Sequence, residues 1–182
     1  MKKKKNLTML VALVLVVGCI IGGTLAWLTA KTDDVVNTFA TSDIDVTLEE
    51  SKEDYKMVPG WTIHKDPKTT VVEGSEECYL FVKVEKSVNF DEYMTYEMAE
   101  GWTALENVEN VYYRVVKTAD MGTEFHVLKD DQVTVKGEVT KEMMAEAEKN
   151  KPALTFTAYA SQLYKNADTT FTAVEAWENI AK

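Results

Sequence analysis

The sequence predicts a mainly β protein, an antiparallel, jelly-roll-like β-sandwich with a few short helices, one of them C-terminal. Three observations carry that prediction. Apolar and polar residues alternate with period two along several separate stretches, helical period is confined to two short segments, and the strand–helix–strand rhythm of parallel sheets is missing. A chain of 182 residues suits one folded domain with a core of useful size.

In chain order, Ile44, Val46 and Leu48 alternate with Asp43, Asp45 and Thr47 and read as a strand with a solvent face. Pro59-Gly60 and Asp66-Pro67 mark turns on either side of Trp61 to Lys65. Thr69 to Val72 is a short strand, and Glu73-Gly74-Ser75-Glu76-Glu77 is a polar loop ahead of the most regular alternation. There Cys78, Leu80, Val82 and Val84 alternate with Tyr79, Phe81, Lys83 and Glu85. Asp91 to Ala99 has no settled period and reads as a short helix or an irregular crossing.

Val111 to Lys117, Thr123 to Leu128 and Val133 to Val139 are further short strands. The last two are expected to be joined by a hairpin turn at Lys129-Asp130-Asp131-Gln132, since paired Asp residues suit turns. Thr140 caps a helix through Met143, Met144 and Ala147 that Pro152 prevents from continuing. Leu154, Phe156, Ala158 and Ala160 alternate with Thr155, Thr157, Tyr159 and Ser161. Thr172-Ala173-Val174-Glu175 is a capping box opening a last helix, with Ala173, Ala176, Trp177 and Ile180 on one face. The expected count is seven or eight strands.

Ahead of this domain the composition changes. Lys2 to Lys5 form a positive start and Leu7 to Val17 an uncharged apolar run, the pattern of an export signal. Thr24-Leu25-Ala26 offers small residues for cleavage between Ala26 and Trp27, and Ala30 offers a second site. Uncut, Leu7 to Leu28 is long enough to span a membrane, although Gly22-Gly23-Thr24 weakens a helix there. Val16-Val17-Gly18-Cys19 also has the form of a lipobox. The organisation expected is a removed signal over 1–26, an N-terminal strand over 27–40 and a sandwich over 41–182, in a protein secreted to the cell surface or extracellular matrix.

Loss of the four lysines with the signal takes the formal charge from −10 to −14. So acidic a chain lacks the basic footprint of a nucleic-acid binder. Cys19 leaves as well, so Cys78 stands alone and neither a disulfide within the chain nor a cysteine zinc site is expected. Catalytic side chains are few. Cys78 follows Glu76 and Glu77, whose charges oppose a thiolate, and its place in the alternation is that of a small core residue. His64 and His126 share no metal-ligand spacing. Asp33-Asp34, Asp43/Asp45, Asp130-Asp131 and Glu73/Glu76/Glu77 could offer oxygens to Ca²⁺, without the spacing of a known calcium loop. Trp61, Trp102, Tyr112, Tyr113 and Trp177 could line a glycan platform or the core. No enzyme, no cofactor and no metal site is expected.

Gly22-Gly23-Thr24-Leu25-Ala26-Trp27, followed by Asn37-Thr38-Phe39-Ala40-Thr41-Ser42-Asp43-Ile44-Asp45-Val46, resembles the N-terminus of exported Gram-positive proteins processed by a SipW-type signal peptidase, the TasA/camelysin family of biofilm matrix proteins. Val58-Pro59-Gly60, Lys65-Asp66-Pro67, Tyr79 to Val84 and Pro152 to Gln162 are similar to segments in clostridial members. The resemblance implies a jelly roll and a secreted subunit of an extracellular fibre, in which the N-terminal strand of one copy completes the sheet of the next. Self is then the partner, with the signal peptidase met during export and the membrane met only through an uncleaved signal. The donor would be Trp27 to about Phe39, in which Val35, Asn37 and Phe39 alternate with Val36, Thr38 and Ala40; the same alternation also suits an ordinary first strand of its own sandwich. The metalloprotease label given to camelysin does not transfer, since no zinc motif is present. The alternative expectation is a monomeric secreted or surface module that binds glycan or Ca²⁺.

Overall fold

The computed structural model describes residues 44–51 and 56–181, which fall within a compact unit spanning Thr41–Lys182. The strands are β1 (Val46–Glu49), β2 (Thr62–His64), β3 (Lys68–Val71), β4 (Cys78–Lys86), β5 (Met94–Met98), β6 (Thr103–Ala104), β7 (Val111–Val116), β8 (Phe125–His126), β9 (Leu128–Val135), β10 (Leu154–Gln162), β11 (Tyr164–Asn166) and β12 (Thr169–Thr170). Three short helices accompany them: α1 (Phe90–Tyr93), α2 (Lys141–Ala147) and α3 (Ala173–Glu178). Every strand pair is antiparallel, as the period-two pattern requires when one face is buried.

One layer is the sheet β10-β4-β7-β6. The facing layer is made of two smaller sheets, β1-β3-β8 and β2-β9-β5. These meet at the fully buried Val127, whose N–H donates to the Pro67 carbonyl at 2.9 Å and whose carbonyl accepts from Ala99 at 3.0 Å. Between the layers, Val82, Val84 and Phe156 pack against Leu128, Val133 and Val135 at one end of the sandwich. At the other end, Cys78, Leu80 and Val116 pack against Val71, Phe125 and Val46.

β4 departs from simple alternation. Tyr79 and Phe81, on the face away from the sandwich, are buried too, under Trp177 of α3 and beside Tyr113 and Tyr159. The Phe81 and Trp177 ring centroids are 5.3 Å apart, as are those of Tyr159 and Trp177. The C-terminal helix thus serves as a cover for the outer face of the long sheet, which explains why so short a helix carries a Trp.

Both expected caps form. Thr140 Oγ1 accepts from the Met143 N–H at 3.2 Å, and Thr172 and Glu175 exchange the two bonds of a capping box. Asp91 to Ala99 divides between α1 and β5 at Met94. The short strands β2, β6, β11 and β12 lack enough alternating residues to be read from sequence, which brings the described strands to twelve.

The expected hairpin turn at Lys129-Asp130-Asp131-Gln132 is not a turn, because these residues lie inside β9. Tyr96 pairs with Val133 and Met98 with Leu128, so β9 takes five steps where β5 takes two and bulges outward. Asp130 and Asp131 adopt left-handed φ of 54° and 53°, the conformation for which Asp was expected in a turn. What decides against reversal is that Leu128 and Val133, on either side, both bury themselves in the same core. Two bonds hold the bulge: His126 Nδ1 lies 2.7 Å from Asp131 Oδ1, and the Asp131 carbonyl accepts from the Lys65 N–H at 2.7 Å. In consequence the strand expected over Thr123 to Leu128 shrinks to β8, and the one expected over Val133 to Val139 ends at Val135.

Two carboxylates staple the late hairpin. Glu77, at the mouth of β4, accepts from Lys117 Nζ at 2.9 Å, the Thr118 N–H at 3.2 Å and the Tyr164 hydroxyl at 2.9 Å. These donors, Lys117 foremost, hold its carboxyl down to about 2. Glu175 sits at about 2 as well, through Lys165 at 2.6 Å and the Thr172 N–H. Since both folded values lie below the ordinary carboxylate range, their stabilisation is complete above about pH 5 and is lost as pH falls towards 2. The melting temperature is expected to drop over that interval, and to drop less in Glu77→Gln and Glu175→Gln. An unchanged acid slope in both variants would remove this account.

Candidate strand-acceptor groove

Among the described residues β2 and β10 are the outermost strands of their sheets, and a groove of about 580 Å³ opens beside them. The Pro59-Gly60 turn explains one wall. Gly60 takes φ of 76° and donates to the Val135 carbonyl at 3.1 Å, which directs Trp61 into β2 antiparallel to β9. Met57, Val58 and Ile63 line that side; Ala153 and Leu154, at the start of β10, line the other. Phe90, Met94 and Val133 supply further apolar lining, and Met144 and Ala147 come from α2, whose Thr140 cap fixes where the helix begins. Charged lining residues are Lys56, Lys65, Lys151 and Glu148.

The backbone of β2 completes the picture. The Trp61 carbonyl accepts from Val135 and the Lys65 N–H donates to Asp131, so alternate residues point towards β9. Thr62 and His64 therefore turn their N–H and C=O groups away from the sheet, the edge that an added strand needs. Thioethers at Met57, Met94 and Met144 give the floor an adaptable, polarisable surface suited to an aromatic guest. Apolar trough and open edge together can bind an extended segment with alternating side chains.

The residues singled out from sequence fall in different places. Ala26 and Trp27 of the cleavage site and Val35, Val36, Asn37 and Phe39 of the donor segment lie outside the described residues. So does the apolar run from Leu7 to Leu28; among the described residues no helix is long and apolar enough to cross a membrane. Cys78 is a core residue of β4, and burial pushes its thiol up to about 11. The cause is desolvation rather than the Glu76 and Glu77 charges invoked from sequence. His64 and His126 are exposed on β2 and β8, and among the described residues no three His, Cys, Asp or Glu side chains group as a metal site. Of the five aromatics, Tyr113 and Trp177 lie in the outer-face cluster, and Trp102 and Tyr112 pack against the sandwich core. Trp61 alone of these is well exposed, at 65 %, next to the groove wall.

Arg114 explains Trp102. Its guanidinium lies 3.9 Å from the Phe125 ring centroid and 5.2 Å from that of Trp102, whose indole N–H donates to the His126 carbonyl at 2.8 Å. Gly101 permits this stack: a Cβ there would stand 2.8 Å from an Arg114 nitrogen. Trp102 is partly buried in this arrangement and packs against the sandwich core.

No protein-family profile, no curated protein and no solved structure matches this chain.

Proposed function

We propose that the chain is an exported structural subunit of an extracellular fibre or biofilm matrix, assembled by adding the N-terminal strand of one copy to the groove of the next. The observation that carries this reading is the apolar groove beside the outward-facing backbone of β2. A second feature supports it. β1 begins at the end of the sandwich where Val46 meets Cys78 and Val116, whereas the groove opens beside Leu154, which pairs with Lys86 at the other end of β4. β1 therefore begins at one end of the sandwich and the groove opens at the other. A head-to-tail contact of this kind builds an open filament when the rotation between successive copies does not close a ring.

Negative-stain electron microscopy tests the proposal on purified chains beginning at Trp27 and at Ala40. Filaments are expected from the first and monomers from the second, with equal melting temperatures, since both chains keep every described member of the core clusters. Monomers from both would overturn the proposal in favour of a monomeric binding module.

A further inference from the structure

We infer that the groove reads charge as well as shape: Lys56 and Lys151 on its rim recognise the acidic pair Asp33-Asp34 and thereby set the direction and register of the incoming strand. The inference rests on the strand-addition reading above. In a chain with 30 acidic and 20 basic residues, a groove whose charged lining is three lysines and one glutamate is a local inversion of sign. Lys65 is engaged inside the fold, with Nζ 2.6 Å from Glu50 Oε1 and 5.4 Å from the Phe156 ring centroid. Lys56 and Lys151 are exposed, and it is their charge that meets an arriving partner.

The donor segment carries the complementary sign in one place. Asp33 and Asp34 directly precede Val35-Val36, and no charge follows through Ala40. A strand that buries Val35 to Ala40 on the apolar floor therefore brings two carboxylates to the rim. Apolar contacts give a strand no sense of direction, because a reversed strand buries similar side chains. Rim charges do, since reversal carries the acidic pair away from the lysines. The same device discourages neutral apolar strands of other proteins from entering.

The test uses a dye-labelled peptide spanning Thr32–Thr41, titrated by fluorescence anisotropy into the chain beginning at Ala40, which keeps the whole compact unit Thr41–Lys182. The peptide is expected to bind. Reversal by Lys56→Glu with Lys151→Glu should weaken binding about tenfold, and neutralisation of both to Ala about threefold. A peptide with Asp33→Lys and Asp34→Lys should recover binding to the reversed variant. A measured melting temperature confirms that each variant is folded, and the alanine pair keeps the test open should the reversed pair unfold. If the natural peptide binds but both pairs of substitutions change its affinity less than twofold, the charge reading falls and strand addition stands. Absence of binding to the unaltered chain overturns both.

Discussion

Truncating Phe81 to alanine is expected to remove about 3–5 kcal/mol of folding stability, the range for large-to-small changes at fully buried aromatics. Phe81 is fully buried and is the ring on which the outer face of β4 depends. It lies 5.3 Å from Trp177, 6.0 Å from Tyr79 and 6.2 Å from Tyr113, centroid to centroid. Two losses combine in the variant: the transfer of a large side chain from water, and the cavity left beneath α3. That helix has six residues, too few to persist without its packing, so it is expected to loosen from the sheet before the rest unfolds. Against a typical total of about 5–15 kcal/mol the loss is large. Urea denaturation followed by circular dichroism measures it, and a change below about 1 kcal/mol would show that the helix covers the sheet without supporting it.

If the chain assembles by the proposed strand addition, replacing Phe39 with serine is expected to abolish filaments at concentrations that suffice for the unaltered chain, and to leave the melting temperature of the subunit in place. Phe39 is the one aromatic in the segment Val35–Ala40, and burying such a side chain is worth about 1.5–3 kcal/mol at each subunit contact. The concentration needed for growth should rise roughly 10- to 100-fold, because that concentration follows the dissociation constant of the growing end. Sedimentation of the polymer at graded protein concentration gives the value. An unchanged threshold would exclude Phe39 as an anchor, and a lowered melting temperature would show that it belongs to the subunit's own core.

Much of the sandwich was legible along the chain. β4 and β10 were, because nine residues each give the alternation room to repeat, and so were α2 and α3, because Thr140 and Thr172 announce them with a local hydrogen bond. The β9 bulge was misread because Asp130-Asp131 is locally correct for left-handed backbone. Only Leu128 and Val133, fastened to one core, reveal that the chain does not reverse there. Two-sided burial of β4 was hidden for a related reason, since Tyr79 and Phe81 read as an outer face until α3, nearly a hundred residues later, lies over it. The groove was illegible altogether. Its lining comes from separate stretches around Met57, Ile63, Phe90, Val133, Met144 and Leu154, which nothing in the sequence connects. The one available hint was the short Trp61 to Lys65 segment between two turns, the size and setting of an edge strand.

The position of β4 also governs when the protein can fold. Its neighbours are β7 and, across the whole register from Cys78 with Gln162 to Lys86 with Leu154, a strand made almost last. Closing so long a loop costs entropy that no earlier contact repays, so pairing of this kind is slow, on the order of milliseconds to seconds. Until Leu154–Gln162 is available, β4 is paired on its β7 side alone and the long sheet is incomplete. A nascent chain of this design cannot complete its longest sheet until Leu154–Gln162 has been made.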